Sequence, residues 1–181
     1  MSPAATASRD VASLVTADRV HRAVYVDPDV FRLEADRVFR RVWLYVGHES
    51  EIPRSGDYVL SRLGPDEVIL VRQADGKIAL LHNRCAHRGP RVVTEPRGNV
   101  RLFRCPYHSW AYRTDGSLAA VPMPERYPAG FDLKDPALGL PRVPRVESYR
   151  GFIFASQSDT GEDLRTFLGG VASALDNMVD R

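Results

Sequence analysis

Two short segments constrain this chain more than anything else in it: Cys85-Ala86-His87 and Cys105-Pro106-Tyr107-His108, with seventeen residues between them. Each supplies one thiolate and one imidazole. A fold that lays the two side by side therefore presents two sulfur and two nitrogen donors, a set that suits either tetrahedral zinc or an iron-sulfur centre in which two histidines replace two cysteines on one iron. Zinc knuckles usually place two cysteines together, and the C-x-H half is atypical of them. Gly89-Pro90 follows the first pair and Pro106 lies inside the second, so neither segment can be a helix interior. Cys85 and Cys105 are the only cysteines among 181 residues, and they point to metal or catalysis rather than to a structural disulfide.

The elements around these pairs read as mainly β. After a small, polar stretch of about sixteen residues taken as a mobile arm, Asp27-Pro28 supplies a helix cap and a first-turn proline, and Phe31, Ala35, Val38 and Phe39 recur at helical spacing. A helix is expected from Pro28 to Arg41. Short β-type runs follow at Val42 to Val46, Tyr58 to Leu63, Glu67 to Arg72 and Ile78 to His82, with turn signals at Gly64-Pro65-Asp66 and Asp75-Gly76. Further strands are expected at Val100 to Arg104, Ser109 to Arg113, Ser117 to Ala120, Arg142 to Tyr149 and Gly151 to Ala155. Between them, Val121 to Pro144 holds six of the thirteen prolines and is expected as an excursion rather than a central strand. Beyond Ser156 the texture returns to helix: Thr160 and Asp163 resemble a capping box, and Leu164, Phe167, Leu168, Val171, Leu175 and Met178 form one apolar stripe. Because no stop signal follows that stripe, the sequence is expected to continue in the native gene product.

Composition excludes several classes of function. A formal charge of +2 and 27% charged residues do not suit a nucleic-acid polyelectrolyte. The longest apolar run, Val42 to Val46, is far short of the ~20 residues that span a bilayer. Residues 1–10 carry neither a basic start nor an apolar core, so no secretory signal is read and a cytoplasmic location is expected.

The segments Asn83 to Pro90 (NRCAHRGP) and Arg104 to Gly116 (RCPYHSWAYRTDG) resemble the two cluster-binding loops of Rieske proteins, which hold a 2Fe-2S cluster. Trp43 to His48 before them, and Gly139-Leu140 to Phe154-Ala155 after them, are similar to the N-terminal part of the large (alpha) subunit of Rieske-type aromatic-ring-hydroxylating oxygenases. The resemblance implies an antiparallel β sandwich of Rieske type, divided as an arm and helix over 1–41, the Rieske domain over 42–157, and a helix over 158–181 that leads toward a missing α+β catalytic domain. It implies that Cys85 and Cys105 bind one iron and His87 and His108 the other. It further implies electron supply from a reductase or ferredoxin, delivery to a mononuclear non-haem Fe(II) in the missing domain, an aromatic substrate there, and a homotrimer or alpha3beta3 assembly. The chain alone would then relay single electrons and hydroxylate nothing. A free-standing Rieske electron carrier is the competing reading, and a structural zinc module the third. One departure from the family pattern is Ser109, where glycine usually follows the second ligand histidine; a local adjustment is expected. Respiratory-chain Rieske proteins carry two further loop cysteines that this sequence lacks.

Other residues carry weaker signals. Tyr107 and Trp110 could donate hydrogen bonds toward cluster sulfurs or pack the loop, with packing favoured for Trp110. Trp43 is assigned to the core, and His21, His48 and His82 to surface or hydrogen-bonded positions without ligand roles. Residues 84–113 hold seven arginines against one glutamate, a basic segment that would steer an acidic electron donor, or simply form a solvated face.

Overall fold

The computed structural model describes residues 10–181, and most of the expected N-terminal arm lies outside them. Ten strands form three antiparallel sheets: β1 (Leu44–His48), β10 (Phe152–Ser156) and β9 (Arg145–Tyr149) in that order; β4 (Ile78–His82), β3 (Asp66–Arg72), β2 (Asp57–Leu63) and β5 (Arg97–Asn99); and β6 (Leu102–Arg104), β7 (Ala111–Arg113) and β8 (Leu118–Ala120). The four-stranded sheet lies in the middle, and its strands β2 to β4 are buried on both faces. Along β3, Val68 and Leu70 join Val59, Leu63 and Leu80 in the core shared with the first sheet, whereas Ile69 and Val71 join Tyr58, Ala79 and Leu81 in the core shared with the small third sheet. Period-two alternation thus sends successive side chains into two different cores, which is why Val68 to Val71 reads as an unbroken apolar run. The second core also holds Phe103, Tyr112 and Trp110 from the small sheet and both cysteines.

Expected and observed strands agree to within one to three residues, apart from β5. Arg97–Asn99 carries no apolar side chain and all three residues are exposed; it is an edge strand held by pairing Tyr58 with Gly98 and Val59 with Arg97. The Val121 to Pro144 excursion contains two 3-10 turns, Pro124–Arg126 and Pro136–Leu138, and packs Tyr127, Phe131, Leu133 and Leu138 onto the core.

Three helical expectations need correction. Within the supposed arm, Val11–Leu14 forms a 3-10 turn and Val15 bridges to Val20. The helix from Pro28 is capped as expected by Asp27, which accepts the Asp29 N–H at 2.8 Å, but α2 (Pro28–Glu34), preceded by the short α1 (Ala23–Val26), passes into a π-helical turn over Ala35–Phe39. The C-terminal segment is two helices, α3 (Leu164–Leu168) and α4 (Gly170–Val179). Its cap is Asp163, whose carboxylate accepts both the N–H and the hydroxyl of Thr166, and not Thr160. Gly169 adopts φ +48, ψ −126, a region closed to L residues, so the register of the apolar stripe breaks there. Leu164, Leu168 and Ala172 pack with Trp43, while Phe167, Val171 and Met178 stay exposed. Trp43 is core as expected; its indole N–H donates to the Glu162 backbone carbonyl and the Arg145 guanidinium lies 4.3 Å over its ring.

Adjacent glycines with opposite requirements give a paired test. Gly169→Ala is expected to destabilise the chain by about 1–3 kcal/mol, because a Cβ has room but the backbone angles do not admit it. Gly170→Ala, helical and with open space around its Cβ, is expected to stabilise by about 0.5 kcal/mol. Urea midpoints of the two variants should move in opposite directions.

Candidate functional site

The two cysteine-histidine segments sit in loops at one end of the core, one following β4 and one closing the β6–β7 hairpin. Their backbones close in the same way. In the first, the Cys85 N–H donates to Pro90 O at 2.9 Å and the Gly89 N–H to Cys85 O at 2.8 Å; in the second, the Cys105 N–H donates to Trp110 O at 2.8 Å and the Ser109 N–H to Cys105 O at 3.0 Å. Gly89 and Ser109 occupy the same place in these turns, at φ +81 and φ +58. The expected adjustment at Ser109 is therefore a left-handed conformation adopted by an L residue, which costs roughly 1–2 kcal/mol.

The two loops bring the expected residues together in pairs, cysteine beside cysteine and histidine beside histidine. Cys85 and Cys105 are buried at 2% and 1% exposure and form no disulfide. The His87 and His108 rings lie 4.9 Å apart, edge to face. Burial pushes the Cys85 thiol above its ordinary pKa, reinforced by neighbouring Cys105 and opposed by the Tyr112 hydroxyl. Burial likewise holds the His87 imidazole below its usual value, with His108 and Arg88 adding to the effect. Neutral His87 has a lone pair to give, and its Nδ1 is buried with no hydrogen-bond partner. An orphaned buried nitrogen is costly unless something else takes its lone pair. Two buried thiols, a facing imidazole pair and that nitrogen fit a binuclear iron-sulfur group, in which each iron takes two protein ligands; among the described residues no three such side chains converge on a single metal position.

The family model of the Rieske [2Fe-2S] domain matches residues 42–149. The chain belongs to that family. Among its relatives, the N,N-dimethyl phenylurea N-demethylase alpha subunit of Sphingobium sp. (strain YBL2) is 48% identical over 157 residues, covering 86% of this chain and 34% of the relative. The benzene 1,2-dioxygenase alpha subunit of Pseudomonas putida is 42% identical over 165 residues, covering 91% and 36%. The crystal structure of naphthalene 1,2-dioxygenase from Rhodococcus sp. superposes with a TM-score of 0.82 at 39% identity, covering 90% of this chain and 37% of that one. This Rieske chain thus spans about a third of the length of the curated relatives it matches.

Two residues of the Rieske site escaped the reading by sequence. Asn83 uses its whole amide: Nδ2 donates to Glu67 Oε1 and Val93 O at 2.7 Å each, and Oδ1 accepts the Val92 and Val93 N–H groups at 2.9 Å each. It ties both ends of the first loop together. Tyr112, fully buried on β7, places its hydroxyl 3.0 Å from Cys85 Sγ; burial, together with the sulfur, raises its pKa, so it stays protonated and is able to donate to a thiolate there. Packing, the role favoured for Trp110, is the one it takes, and the contact to a cysteine sulfur is made by Tyr112. Tyr107 is exposed and leans on His108, and Trp110 stacks on His87. Tyr112 lies two residues past Trp110 on the strand leaving the loop, and that inward alternation was the available signal. His21 and His48 serve as local caps for Ala23 and Ser50, and His82 is half-buried near Asp66. No helix among the described residues is long and apolar enough to cross a membrane.

Asn83→Ala strands three backbone groups and Glu67, and is expected to cost about 2–4 kcal/mol in urea unfolding. Asn83→Asp should not rescue it, since a carboxylate accepts from Val92 and Val93 but repels Glu67 and Val93 O. Tyr112→Phe removes a donor to sulfur; if that bond favours the reduced state by about 1 kcal/mol, the one-electron midpoint potential falls by roughly 40 mV in redox titration.

Proposed function

We propose that Cys85 and Cys105 hold one iron of the 2Fe-2S cluster through their sulfurs, and that His87 and His108 hold the other through ring nitrogens. The observation that carries this reading is the orphaned, buried Nδ1 of His87, on a ring 4.9 Å from that of His108, in the two loops that also hold two free, buried cysteines. The cluster supplies one-electron storage and transfer. The protein supplies everything else: Tyr112 donates to sulfur, Trp110 screens one face of His87, and the half-exposed histidine pair gives electrons a short way out.

We further propose that the whole protein is the large subunit of an aromatic-ring-hydroxylating oxygenase. In this reading the chain relays electrons from a reductase or ferredoxin to a mononuclear non-haem Fe(II) held outside these residues, where oxygen is activated against an aromatic substrate. Support comes from the relatives, whose names include benzene, biphenyl and dimethyl phenylurea, all aromatic. Residues 42–157 would be the Rieske domain, preceded by an arm and helix over 1–41 and followed over 158–181 by the start of the catalytic domain. The assembly would be a homotrimer or alpha3beta3, located in the cytoplasm, where two free cysteines persist as thiols. The donor side is supported by charge. Arg84 and Arg88 line an open cleft of about 360 Å³ against Cys85 and His87. Arg91 is less available, being paired with Glu67 at 3.2 Å.

The purified chain is expected to be red-brown, with two irons and two sulfides per chain, and Cys85→Ser or His108→Ala should abolish the colour because an undercoordinated iron is lost. A colourless wild type with one zinc per chain would overturn the assignment. Stopped-flow reduction by an acidic ferredoxin should slow as salt rises, and Arg88→Gln should flatten that dependence.

A further inference from the structure

The His87 ring is supported by a second ring besides His108. Trp110 lies parallel to it, 4.7 Å between ring centres and 6° between planes. Trp110 is buried at 3% exposure, yet nothing in its own loop satisfies its indole N–H. The partner comes from the proline-rich excursion: Nε1–H donates to the Tyr127 hydroxyl at 2.9 Å. Tyr127 in turn stacks on Phe131 at 4.3 Å, and Phe131 meets Trp110 edge-on at 6.1 Å. Ala137 and Gly139 of the same excursion line one cleft with the first ligand loop. The 24 proline-rich residues from Val121 to Pro144 thus border a cleft at the first loop and contact Trp110 of the second.

We propose that this excursion is a clamp that fixes the plane of the His87 imidazole, with Tyr127 as its latch and Trp110 as the transmitting plate. The proposal rests on the reading of His87 as an iron ligand. An imidazole bound through one nitrogen can still rotate about that bond, and its orientation sets both overlap with the metal and the direction of its other N–H. Parallel stacking on Trp110 blocks that rotation on one face, and the edge-on His108 ring restricts it further. An indole is free to slide across a flat ring unless its N–H is pinned, and the buried bond to Tyr127 pins it. Proline suits such a clamp, because its fixed φ lowers the entropy lost in holding an irregular segment in place. Tyr127 and Trp110 are positioning residues: neither supplies a ligand.

The test uses the purified chain with its cluster and the variants Tyr127→Phe, Trp110→Phe and the double variant. Tyr127→Phe keeps the stack on Phe131 and removes only the hydroxyl; Trp110→Phe keeps an aromatic ring on His87 and removes the N–H. Each is expected to broaden the EPR lines of the reduced cluster and to speed chelator-driven cluster loss roughly tenfold, the scale of effects from residues behind a metal ligand. Since both delete the same bond, the double variant should be no worse than the singles. Ile153→Val, in the other core, controls for general destabilisation and should leave the EPR line shape unchanged. Wild-type line shape and chelation rate in both single variants, or effects that add in the double variant, would overturn the clamp while leaving the ligand assignment intact. A wild type with no EPR signal on reduction would overturn the ligand assignment, and the clamp with it.

Discussion

Two cysteines and two histidines from two loops must be held close together, in a region where sheet hydrogen bonding no longer satisfies the backbone. The rest of the structure depends on how that is met. Each loop folds back so that the cysteine N–H and C=O are both used inside the turn, by the residues five and four positions on. That closure turns the sulfur inward and leaves the histidine, two or three residues later, at the rim. It requires positive φ at Gly89 and Ser109, and the second position accepts the strain of a side chain there.

The sheets bring the turns together. The β4 strand ends at His82 and β6 begins at Leu102, and the two sheets that carry them share the core in which Cys85 and Cys105 are buried beside Phe103, Tyr112 and Leu81. A large apolar wall behind the cysteines keeps water from the sulfurs, while Asn83 and Tyr112 supply the few polar contacts that the site needs. Burial makes the unliganded thiol reluctant to ionise, so binding must displace its proton; a site of this kind is held by its metal as well as by its core.

Much of this was legible in the sequence, and for identifiable reasons. Paired ligands flanked by Gly-Pro and Pro announced two loops, and runs such as Ile78 to His82 announced strands because β-branched and large apolar residues dominate them. Arg97–Asn99 was not legible, since an exposed edge strand is defined by its partner and has no pattern of its own. The C-terminal helix was read as continuous because its apolar spacing outweighed Gly169-Gly170, although the first of these glycines is where the chain bends. Asn83 and Tyr112 act through bonds to residues 9 to 27 positions away, beyond the reach of local spacing.

In the proposed site the sulfur and nitrogen donors are segregated, two cysteines on one iron and two histidines on the other. Mössbauer spectroscopy of the chain enriched in the 57Fe isotope tests this directly, because the two irons then sit in different ligand fields. Two quadrupole doublets of equal area are expected in the oxidised state, and on one-electron reduction only the histidine-bound iron should become ferrous. A single doublet, from irons in equivalent surroundings, would contradict the account.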